Sequence, residues 1–275
     1  MDIVIRNIDI TTDIQGIRKV HAQDDHWGSD EACFLSQESC LESGFLIQVA
    51  TLDGKIVGHA EWIISHEPVH RFLYLGILQI HDNYQKTGIG TKMLESGAAY
   101  AKENNCTFIR TMPEINTGSV QFYEKNGFAK IEDINCILTV KTQPAPDAKN
   151  AIRIDQVPFD VVKTLPLVVG LYQHSSAHVW HIYNHYNGKN MPSFKIGDAY
   201  VNISEFDPAD KSSEATCWSN QLTPALIAEI LAIGYNLGCK YLDFCVLSKD
   251  IPCFDTFEYE MSDEHDIFME RCLLA

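Results

Sequence analysis

The fold is decided by a short run in the first half of the chain, Leu78-Gln79-Ile80-His81-Asp82-Asn83-Tyr84-Gln85-Lys86-Thr87-Gly88-Ile89-Gly90-Thr91. An apolar, strand-like segment leads into a loop with two glycines, and an amphipathic helix starts there. Glycines let the backbone turn tightly and let an anion approach its N–H groups. The unbonded N–H groups and the positive dipole end of a helix N-terminus attract phosphate. The run therefore predicts a phosphate-binding loop between a strand and a helix.

The helix that follows the loop has one apolar face. That face is formed by Ile89, Met93, Leu94, Gly97, Ala98 and Ala101. The loop is not a dinucleotide-binding motif, because no third glycine and no acidic strand end follow at the required spacing. It is not a P-loop either, because it contains no Gly-Lys-Ser/Thr. Two glycines alone are more typical of a plain turn before a helix, so a second element is needed.

That second element is the run Asn116-Thr117-Gly118-Ser119-Val120-Gln121-Phe122-Tyr123-Glu124-Lys125-Asn126-Gly127-Phe128. It predicts a helix capped near Asn116 or Thr117 and stopped at Gly127. Together the two runs resemble the GNAT superfamily of acetyl-coenzyme A-dependent N-acetyltransferases. Gln85-x-x-Gly88-x-Gly90 matches the pyrophosphate loop of that family, and residues 116–128 match its second cofactor segment. The resemblance covers residues 1–142 well and residues 151–275 only by the order of their elements.

The resemblance implies that the cofactor is acetyl-coenzyme A and assigns a role to each matching residue. Backbone groups of Leu78 and Ile80 would line the pantetheine arm, and the amides of residues 85–91 would hold the pyrophosphate. Asn116 would contact the arm, and Tyr123 would lie near the thioester sulfur as the catalytic acid. The full expected binding set is Leu78, Gln79, Ile80, Gln85, Lys86, Thr87, Gly88, Ile89, Gly90, Thr91, Asn116, Ser119 and Tyr123.

The sequence departs from the family in ways that leave the general base open. Asp82 stands where the family often has Pro, and Lys86 where it often has Gly. No carboxylate precedes Leu78 at residues 75–77. An amine with a pKa near 10.4 is only about 10⁻³ neutral at pH 7, so a base must remove its proton. Glu61, Glu114 and a water chain are the candidates.

The order of the predicted elements indicates an α/β (α+β) protein, with a mixed, mostly antiparallel sheet flanked by helices. The Pro-containing stretch 143–150 is read as a linker. It separates a catalytic domain at residues 1–142 from a domain at residues 151–275. In the latter we expect a helix at 223–237, a strand at 241–246, a short helix at 252–259 and a strand at 265–274. This order repeats residues 90–140, so we interpret the two domains as a tandem repeat.

The second domain is interpreted as a degenerate GNAT-like domain without a cofactor site. It contains no Gln/Arg-x-x-Gly-x-Gly. At the equivalent place it has Trp218-Ser219-Asn220-Gln221-Leu222-Thr223-Pro224, which puts a proline where N–H donors are needed.

The composition and net charge of the chain disfavour some classes of binding partner. The chain has 275 residues, is 45% hydrophobic and carries a formal net charge of −16. Such a charge disfavours nucleic acid and anionic lipid, and no apolar run is long enough to span a membrane. We therefore expect a cytoplasmic protein whose acceptor is a cationic small-molecule or peptide amine.

Cysteines and histidines give no metal site. The nine cysteines follow no zinc or redox spacing and are expected to be free, buried apolar side chains. His174, His178, His181 and His185 would share one face of a helix and could bind a metal, but the segment fits a strand nearly as well. We therefore expect no metal.

Several alternatives remain at this stage. A non-catalytic acetyl-coenzyme A sensor that regulates a partner would use the same cofactor site. Transfer of a longer acyl chain, or transfer to an oxygen, would also use it. The loop Asp24-Asp25-His26-Trp27 would border the acceptor pocket, where an aromatic ring with carboxylates suits a cation.

Overall fold

The computed structural model describes residues 2–22, 27–42, 44–66, 70–115, 118–144, 151–154, 165, 168–170, 193–204 and 214–273. Over these residues the strands are β1 (Ile3–Asn7), β2 (Leu46–Leu52), β3 (Lys55–His66), β4 (Arg71–Ile80), β5 (Phe108–Thr111), β6 (Ala129–Lys141), β7 (Ala151–Ile154), β8 (Ser193–Ile196), β9 (Ala199–Ser204), β10 (Glu214–Ser219), β11 (Tyr241–Leu247) and β12 (Tyr259–Cys272). The α-helices are α1 (Ile14–Val20), α2 (Asp30–Glu42), α3 (Ile89–Glu103), α4 (Gly118–Lys125) and α5 (Pro224–Leu237). The predicted fold class is confirmed: strands are mostly antiparallel and helices flank them.

The chain forms two compact units whose composition does not follow the order of the sequence. Unit 1 contains residues 1–112, 121–129 and 269–275, and unit 2 contains residues 113–120 and 130–268. The end of the chain therefore belongs with residues of the first half, and β6 belongs with residues of the second half. The domain bounds 1–142, 143–150 and 151–275 stay a prediction, and residues 145–150 lie outside the described residues.

The sheet of unit 1 is built from hairpins and closed by the end of the chain. Strands β1, β2, β3 and β4 pair antiparallel in sequence order. The hairpin turn between β2 and β3 is Asp53-Gly54, where both residues have positive φ angles of 50° and 76°, as the dipeptide predicts. Strand β5 pairs parallel with β4, and the last four residues of β12 pair antiparallel with β5.

Helix α3 packs on the face of β3 that carries Gly58 and Trp62. All six residues of its predicted apolar face are buried, as expected. A Cβ atom at Gly97 would come within 2.4 Å of the Trp62 ring, so a glycine is required for the helix to lie this close to the sheet. The helix is thereby fixed at the end of the glycine loop, which positions its N-terminus.

The sheet of unit 2 has β6 antiparallel to β11, β11 parallel to β10, and then β9, β8 and β7 in antiparallel order. The apolar side of α5, including Ile227, Ile230 and Leu231, packs in one core with Leu138 of β6 and Phe244 of β11. Thr223 caps α5, Pro224 occupies its first turn, and Gly238 ends it in the left-handed conformation. The predicted helix at 223–237 is confirmed.

Local differences from the prediction lie near the end of the chain. The expected helix at 252–259 is a 3-10 helix at Ser248–Phe254, and the following strand begins at Tyr259. Pro252 lies inside this short helix, where it removes a backbone donor and disfavours a continuous α-helix. All nine cysteines are free, and seven are buried, in agreement with the expectation. Within the described part of the chain, no helix combines the length and the apolar character needed to cross a membrane.

Glu270 on β12 supports unit 1 through a partly buried ion pair with Arg110 on β5. Arg110 is 6% exposed, donates from Nε to Glu270 Oε1 at 2.8 Å, and stacks over the rings of Phe72 and Phe108. Replacing Glu270 with Gln removes the negative partner of a buried cation. We expect this change to lower the free energy of unfolding by about 2 kcal/mol or more.

The matched control is Glu258→Gln, since Glu258 is 84% exposed and lies 3.9 Å from an exposed Lys141. An exposed pair of this kind contributes little to stability. Urea unfolding of both variants checks the prediction. Equal losses in the two variants would contradict the role assigned to the Arg110–Glu270 pair.

Candidate active site

The glycine loop is an exposed turn that ends at an uncapped helix N-terminus. Residues 85–88 are exposed, and Lys86 and Gly88 have positive φ angles of 62° and 87°. Gly88 is the N-cap of α3 and makes no side-chain cap hydrogen bond. Within the described residues, the N–H groups of Ile89, Gly90 and Thr91 donate to no protein acceptor. The loop therefore offers several backbone donors and a helix dipole to an anion.

Gly90 brings the second motif against the start of α3. A Cβ atom at Gly90 would lie 3.0 Å from Cζ of Phe122 on α4, so this position lets the α4 side chain pack on the first turn of α3. The glycine loop and the helix of the second motif are thus neighbours, although they are separated along the chain. Ser119 lies half-buried in the first turn of α4, and Asn116 lies outside the described residues.

Strand β4 has an open edge beyond Leu75. The parallel pairing with β5 ends at Leu75 and Thr111, and in the described part of the chain no strand continues it along residues 76–80. The pairing with β3 shifts register between Glu61 and Trp62, which leaves Gly76 as an extra residue on β4. Along residues 76–80, β4 therefore pairs with β3 on one side but not with β5 on the other.

The backbone of the open segment presents its polar groups at alternate residues. The His81 N–H donates to the Val57 carbonyl on β3 at 3.0 Å. In the antiparallel pattern, the backbone N–H and C=O groups of His81 and Gln79 therefore point toward β3. The N–H and C=O groups of Leu78 and Ile80 consequently point away from β3, toward the open edge. An extended ligand chain can pair with these groups as an added strand would.

Tyr123 lies on α4 close to the point where β4 and β5 separate. Its hydroxyl hydrogen-bonds the hydroxyl of Thr111, and that hydroxyl donates to the Leu75 carbonyl at 3.2 Å. The ring packs edge-on against Phe122 and Phe128. Burial raises the pKa of Tyr123 to about 12, so the side chain is a neutral hydroxyl at physiological pH.

Glu61 is a buried carboxylate on β3. Its Oε1 accepts a hydrogen bond from Gln37 Nε2 on α2 at 2.7 Å, and the Cys40 thiol lies 3.9 Å from Oε2. Burial raises the pKa of Glu61 to about 7, although the Gln37 hydrogen bond acts in the opposite direction. Glu61 pairs across the strands with Ile77, one of the residues of the open segment of β4. A carboxylate that can exchange a proton near neutral pH therefore borders that segment.

A buried pair of histidines extends this polar cluster. His59 Nε2 lies 3.2 Å from Gln37 Oε1, and His59 Nδ1 lies 3.0 Å from His21 Nε2. The ring of Trp27 packs edge-on against His21 at 4.8 Å and is only 7% exposed. The expectation that Trp27 presents its ring to a cationic acceptor is therefore wrong, because the ring covers the histidines. Asp24, Asp25 and His26 lie outside the described residues.

Glu114, the other candidate base, has a different setting. It is exposed and forms an isolated β-bridge with Asp266. Both residues belong to unit 2. With Asn135 and Ile137 they line a cavity of about 160 Å³.

The N-terminus of α5 differs from that of α3 in its capping. The Thr223 hydroxyl accepts a hydrogen bond from the Leu226 N–H at 3.1 Å, and Pro224 has no N–H to offer. Two of the donors that a helix N-terminus presents to an anion are therefore consumed or missing. The start of α5 therefore offers fewer free backbone donors to an anion than the start of α3 does.

No cluster of His, Cys, Asp or Glu able to hold a metal ion occurs within the described residues. The four histidines considered as a metal site, His174, His178, His181 and His185, lie outside them.

Comparison with solved structures shows the same fold along the whole chain. A candidate acetyltransferase from Pyrococcus horikoshii is 14% identical, with a TM-score of 0.68 over 98% of this chain and 89% of that one. A tandem GNAT protein from the clavulanic acid biosynthesis pathway is 10% identical, with a TM-score of 0.61 over 100% and 99% of the two chains. A GCN5-related N-acetyltransferase from Kribbella flavida is 11% identical, with a TM-score of 0.64 over 98% and 71%.

The tandem arrangement expected from the repeat of elements agrees with this likeness. No curated protein matches the sequence. Residues 14–128, which include the glycine loop and the helix with Tyr123, match the model of the acetyltransferase (GNAT) family. These residues form a region similar to the acetyltransferases of the GNAT family.

Proposed function

We propose that the protein transfers an acetyl group from acetyl-coenzyme A to the primary amine of a cationic small molecule or peptide. The observation that carries this proposal is the continuous path from the open edge of β4 to the exposed loop at residues 85–91. The open edge suits the extended pantetheine arm, and the uncapped start of α3 suits the pyrophosphate. Acetyl-coenzyme A supplies the activated acetyl group as a thioester.

The residues present fit this cofactor. Leu78 and Ile80 have backbone groups directed to the open edge, and Ile89, Gly90 and Thr91 supply unbonded N–H groups at the helix N-terminus. Gly88 leaves open space, since no atom lies within 4 Å of the position its Cβ would take. We assign Gln79 and Asn116 to the same binding set, together with Ser119 on α4. The capped start of α5 supports a single cofactor site in each chain.

Glu61 is the general base that we favour over Glu114. An ordinary glutamate has a pKa near 4.3 and is a weak proton acceptor for an ammonium group with a pKa near 10.4. A pKa of about 7 for Glu61 makes the carboxylate a better acceptor while leaving it partly ionised at neutral pH. Glu61 also borders the open segment of β4 through its pairing with Ile77. It would act directly or through one water molecule.

Tyr123 would turn its hydroxyl proton from Thr111 to the departing sulfur, donating a hydrogen bond rather than losing the proton fully. The pKa of Tyr123 is raised to about 12, and an ordinary thiol has a pKa near 8.5. Complete proton transfer from Tyr123 to the thiolate is therefore uphill by about 5 kcal/mol. A neutral hydroxyl still stabilises the negative charge that develops on sulfur.

Tyr123→Phe is expected to lower kcat by roughly 10- to 10³-fold without weakening the binding of acetyl-coenzyme A. The hydroxyl is removed while the ring between Phe122 and Phe128 stays. Steady-state kinetics with calorimetric binding checks the result. Tyr100→Phe is the control, because Tyr100 lies on α3, outside the binding set. An unchanged kcat in Tyr123→Phe, with chemistry rate-limiting, would leave Tyr123 only a packing role.

The acceptor's positive charge is inferred from the formal net charge of −16. Each exposed carboxylate adds only tenths of a kcal/mol to binding, and salt screens the field over about 8–10 Å. We therefore expect kcat/KM for a cationic acceptor to fall as the salt concentration rises.

The test measures acetyl-coenzyme A turnover with polyamines, aminoglycosides, peptide N-termini and anionic amino acids at two salt concentrations. Acetylated product is identified by mass spectrometry, and longer acyl-coenzyme A donors are included. The proposal expects a cationic amine to be preferred, with salt-dependent kinetics. A preferred anionic acceptor would overturn the electrostatic argument. Binding of acetyl-coenzyme A without turnover on any amine would favour the second candidate, a non-catalytic sensor.

A further inference from the structure

The polar cluster around Glu61 contains two histidines that have no role in the transfer reaction proposed above. His59 is fully buried and His21 is 6% exposed. Burying two imidazoles is costly unless their nitrogens are hydrogen-bonded. Their contacts form a continuous series: Glu61 Oε1 to Gln37 Nε2 at 2.7 Å, Gln37 Oε1 to His59 Nε2 at 3.2 Å, and His59 Nδ1 to His21 Nε2 at 3.0 Å.

The protons in this series follow from the ionised form of Glu61. A carboxylate accepts hydrogen bonds only, so the Gln37 NH₂ group must face Glu61 and its carbonyl must face His59. The His59 Nε2 atom must then carry a proton, which leaves Nδ1 of neutral His59 as an acceptor. His21 in turn donates from Nε2. Each group in the series thus fixes the orientation of the next.

We propose that His59 and His21 are positioning residues that hold the Gln37 amide with its NH₂ group on the Glu61 carboxylate. The expected effect on catalysis rests on the proposed role of Glu61 as the general base. The hydrogen-bond series itself is independent of that role. Without a donor at His59, the Gln37 amide can rotate and present its carbonyl oxygen to Glu61. That oxygen would repel the carboxylate and favour its protonated form.

The surroundings of Glu61 leave Gln37 as its main source of hydrogen bonds among the described groups. On β2 and β4 the cross-strand neighbours are Ile47 and Ile77, which are apolar. On α2 the ionisable groups that interact with Glu61 are the thiols of Cys40 and Cys33, whose pKa values are raised by burial. On β3 the ring of His59 has its Nε2 atom 3.6 Å from Glu61 Oε1, and His21 lies behind it at the end of α1. A rotated Gln37 amide would therefore not be replaced by another strong donor.

A matched pair of amide variants separates positioning from packing. In His59→Gln the side-chain NH₂ can reach the place of His59 Nε2 and donate to Gln37. In His59→Asn an amide of the same chemistry is one methylene too short to do so. The Gln and Asn side chains are polar and no larger than about the size of the imidazole. The buried, hydrogen-bonded position of His59 should therefore tolerate either of them better than an apolar residue. The difference between them reports the donor rather than the volume.

The experiment measures two quantities as a function of pH in the wild type and both variants. The first is thermal stability of the protein without cofactor, which follows the titration of Glu61 whether or not Glu61 takes part in catalysis. The second is kcat/KM, whose acidic limb follows the same group if Glu61 is the base. We expect His59→Asn to move both midpoints to higher pH by about one unit or more. His59→Gln should keep both near their wild-type positions.

The outcomes distinguish this inference from the proposed function. A shift in the stability profile of His59→Asn without a shift in kcat/KM supports the positioning role and removes Glu61 as the base. Unchanged stability profiles in both variants would overturn the inference. Equal shifts in His59→Gln and His59→Asn would also overturn it, because the donor would then not matter. His21→Leu gives a second test at the far end of the series and is expected to shift the profile in the same direction.

Discussion

Replacing Gly88 with glutamate is expected to weaken the binding of acetyl-coenzyme A at least about 100-fold, or by about 2.7 kcal/mol. Gly88 is the N-cap of α3 and has a φ angle of 87°. Its missing side chain leaves the helix N-terminus open to a pyrophosphate. A glutamate would fill this space and bring a negative charge to a site built for an anion. Calorimetry and acetyl-coenzyme A-dependent turnover should both show the loss.

The control for this variant is Gly54→Glu. Gly54 has a φ angle of 76° and also has open space around its Cβ position, so the backbone strain and the added charge are similar. It lies in the β2–β3 hairpin, away from the glycine loop in sequence and element. We expect Gly54→Glu to bind acetyl-coenzyme A like the wild type. Similar affinities in Gly88→Glu and Gly54→Glu would remove the loop from the cofactor site. Gly90→Glu is a weaker test, because the new side chain would also collide with Phe122.

Glu61→Gln is expected to lower kcat/KM at neutral pH by roughly 10²- to 10⁴-fold. The amide keeps the size of the side chain but no longer accepts a proton. Glu114→Gln is the matched variant at the other candidate position, and we expect its kcat/KM to change far less. A large loss in Glu114→Gln with a small loss in Glu61→Gln would reverse the assignment of the base.

The same variant should change how stability depends on pH. The folded-state pKa of Glu61 is about 7, against a reference value of 4.5. Between these values the folded state binds more protons than the unfolded state, so stability falls as pH rises through this window. The total loss in the free energy of unfolding is about 3 kcal/mol. This loss is absent below pH 4.5 and complete above pH 7. Glu61→Gln should lose this slope, which urea unfolding at several pH values measures. An unchanged slope would contradict the buried ionisation of Glu61.

The sequence predicts the part of the site that local structure determines. Glycines at 88 and 90 before an amphipathic helix predict an anion-binding helix start, and α3 begins at Ile89 with the expected face buried. Asp53-Gly54 predicts the β2–β3 hairpin for a similarly local reason. Thr223 and Pro224 predict the start of α5. In each case neighbouring residues dictate the backbone conformation.

The remaining features depend on contacts between distant parts of the chain. His21 and His59 are 38 residues apart in sequence, and neither belongs to a motif, so their contact arises only when α1 packs against β3. Glu61 could not be preferred over Glu114 from sequence, because its raised pKa depends on burial beneath α2. The pairing of β12 with β5 joins residues 160 positions apart, as in Arg110 and Glu270. No local sequence pattern predicts such a pairing.

The central claim is that one chain binds acetyl-coenzyme A once, at the glycine loop, and uses it to acetylate an amine. Calorimetric titration of the full chain with acetyl-coenzyme A tests the claim most directly. The account predicts a stoichiometry near one for the wild type and no measurable binding at the same concentrations for Gly88→Glu. Two equivalent sites per chain, or a single site that Gly88→Glu leaves intact, would contradict it.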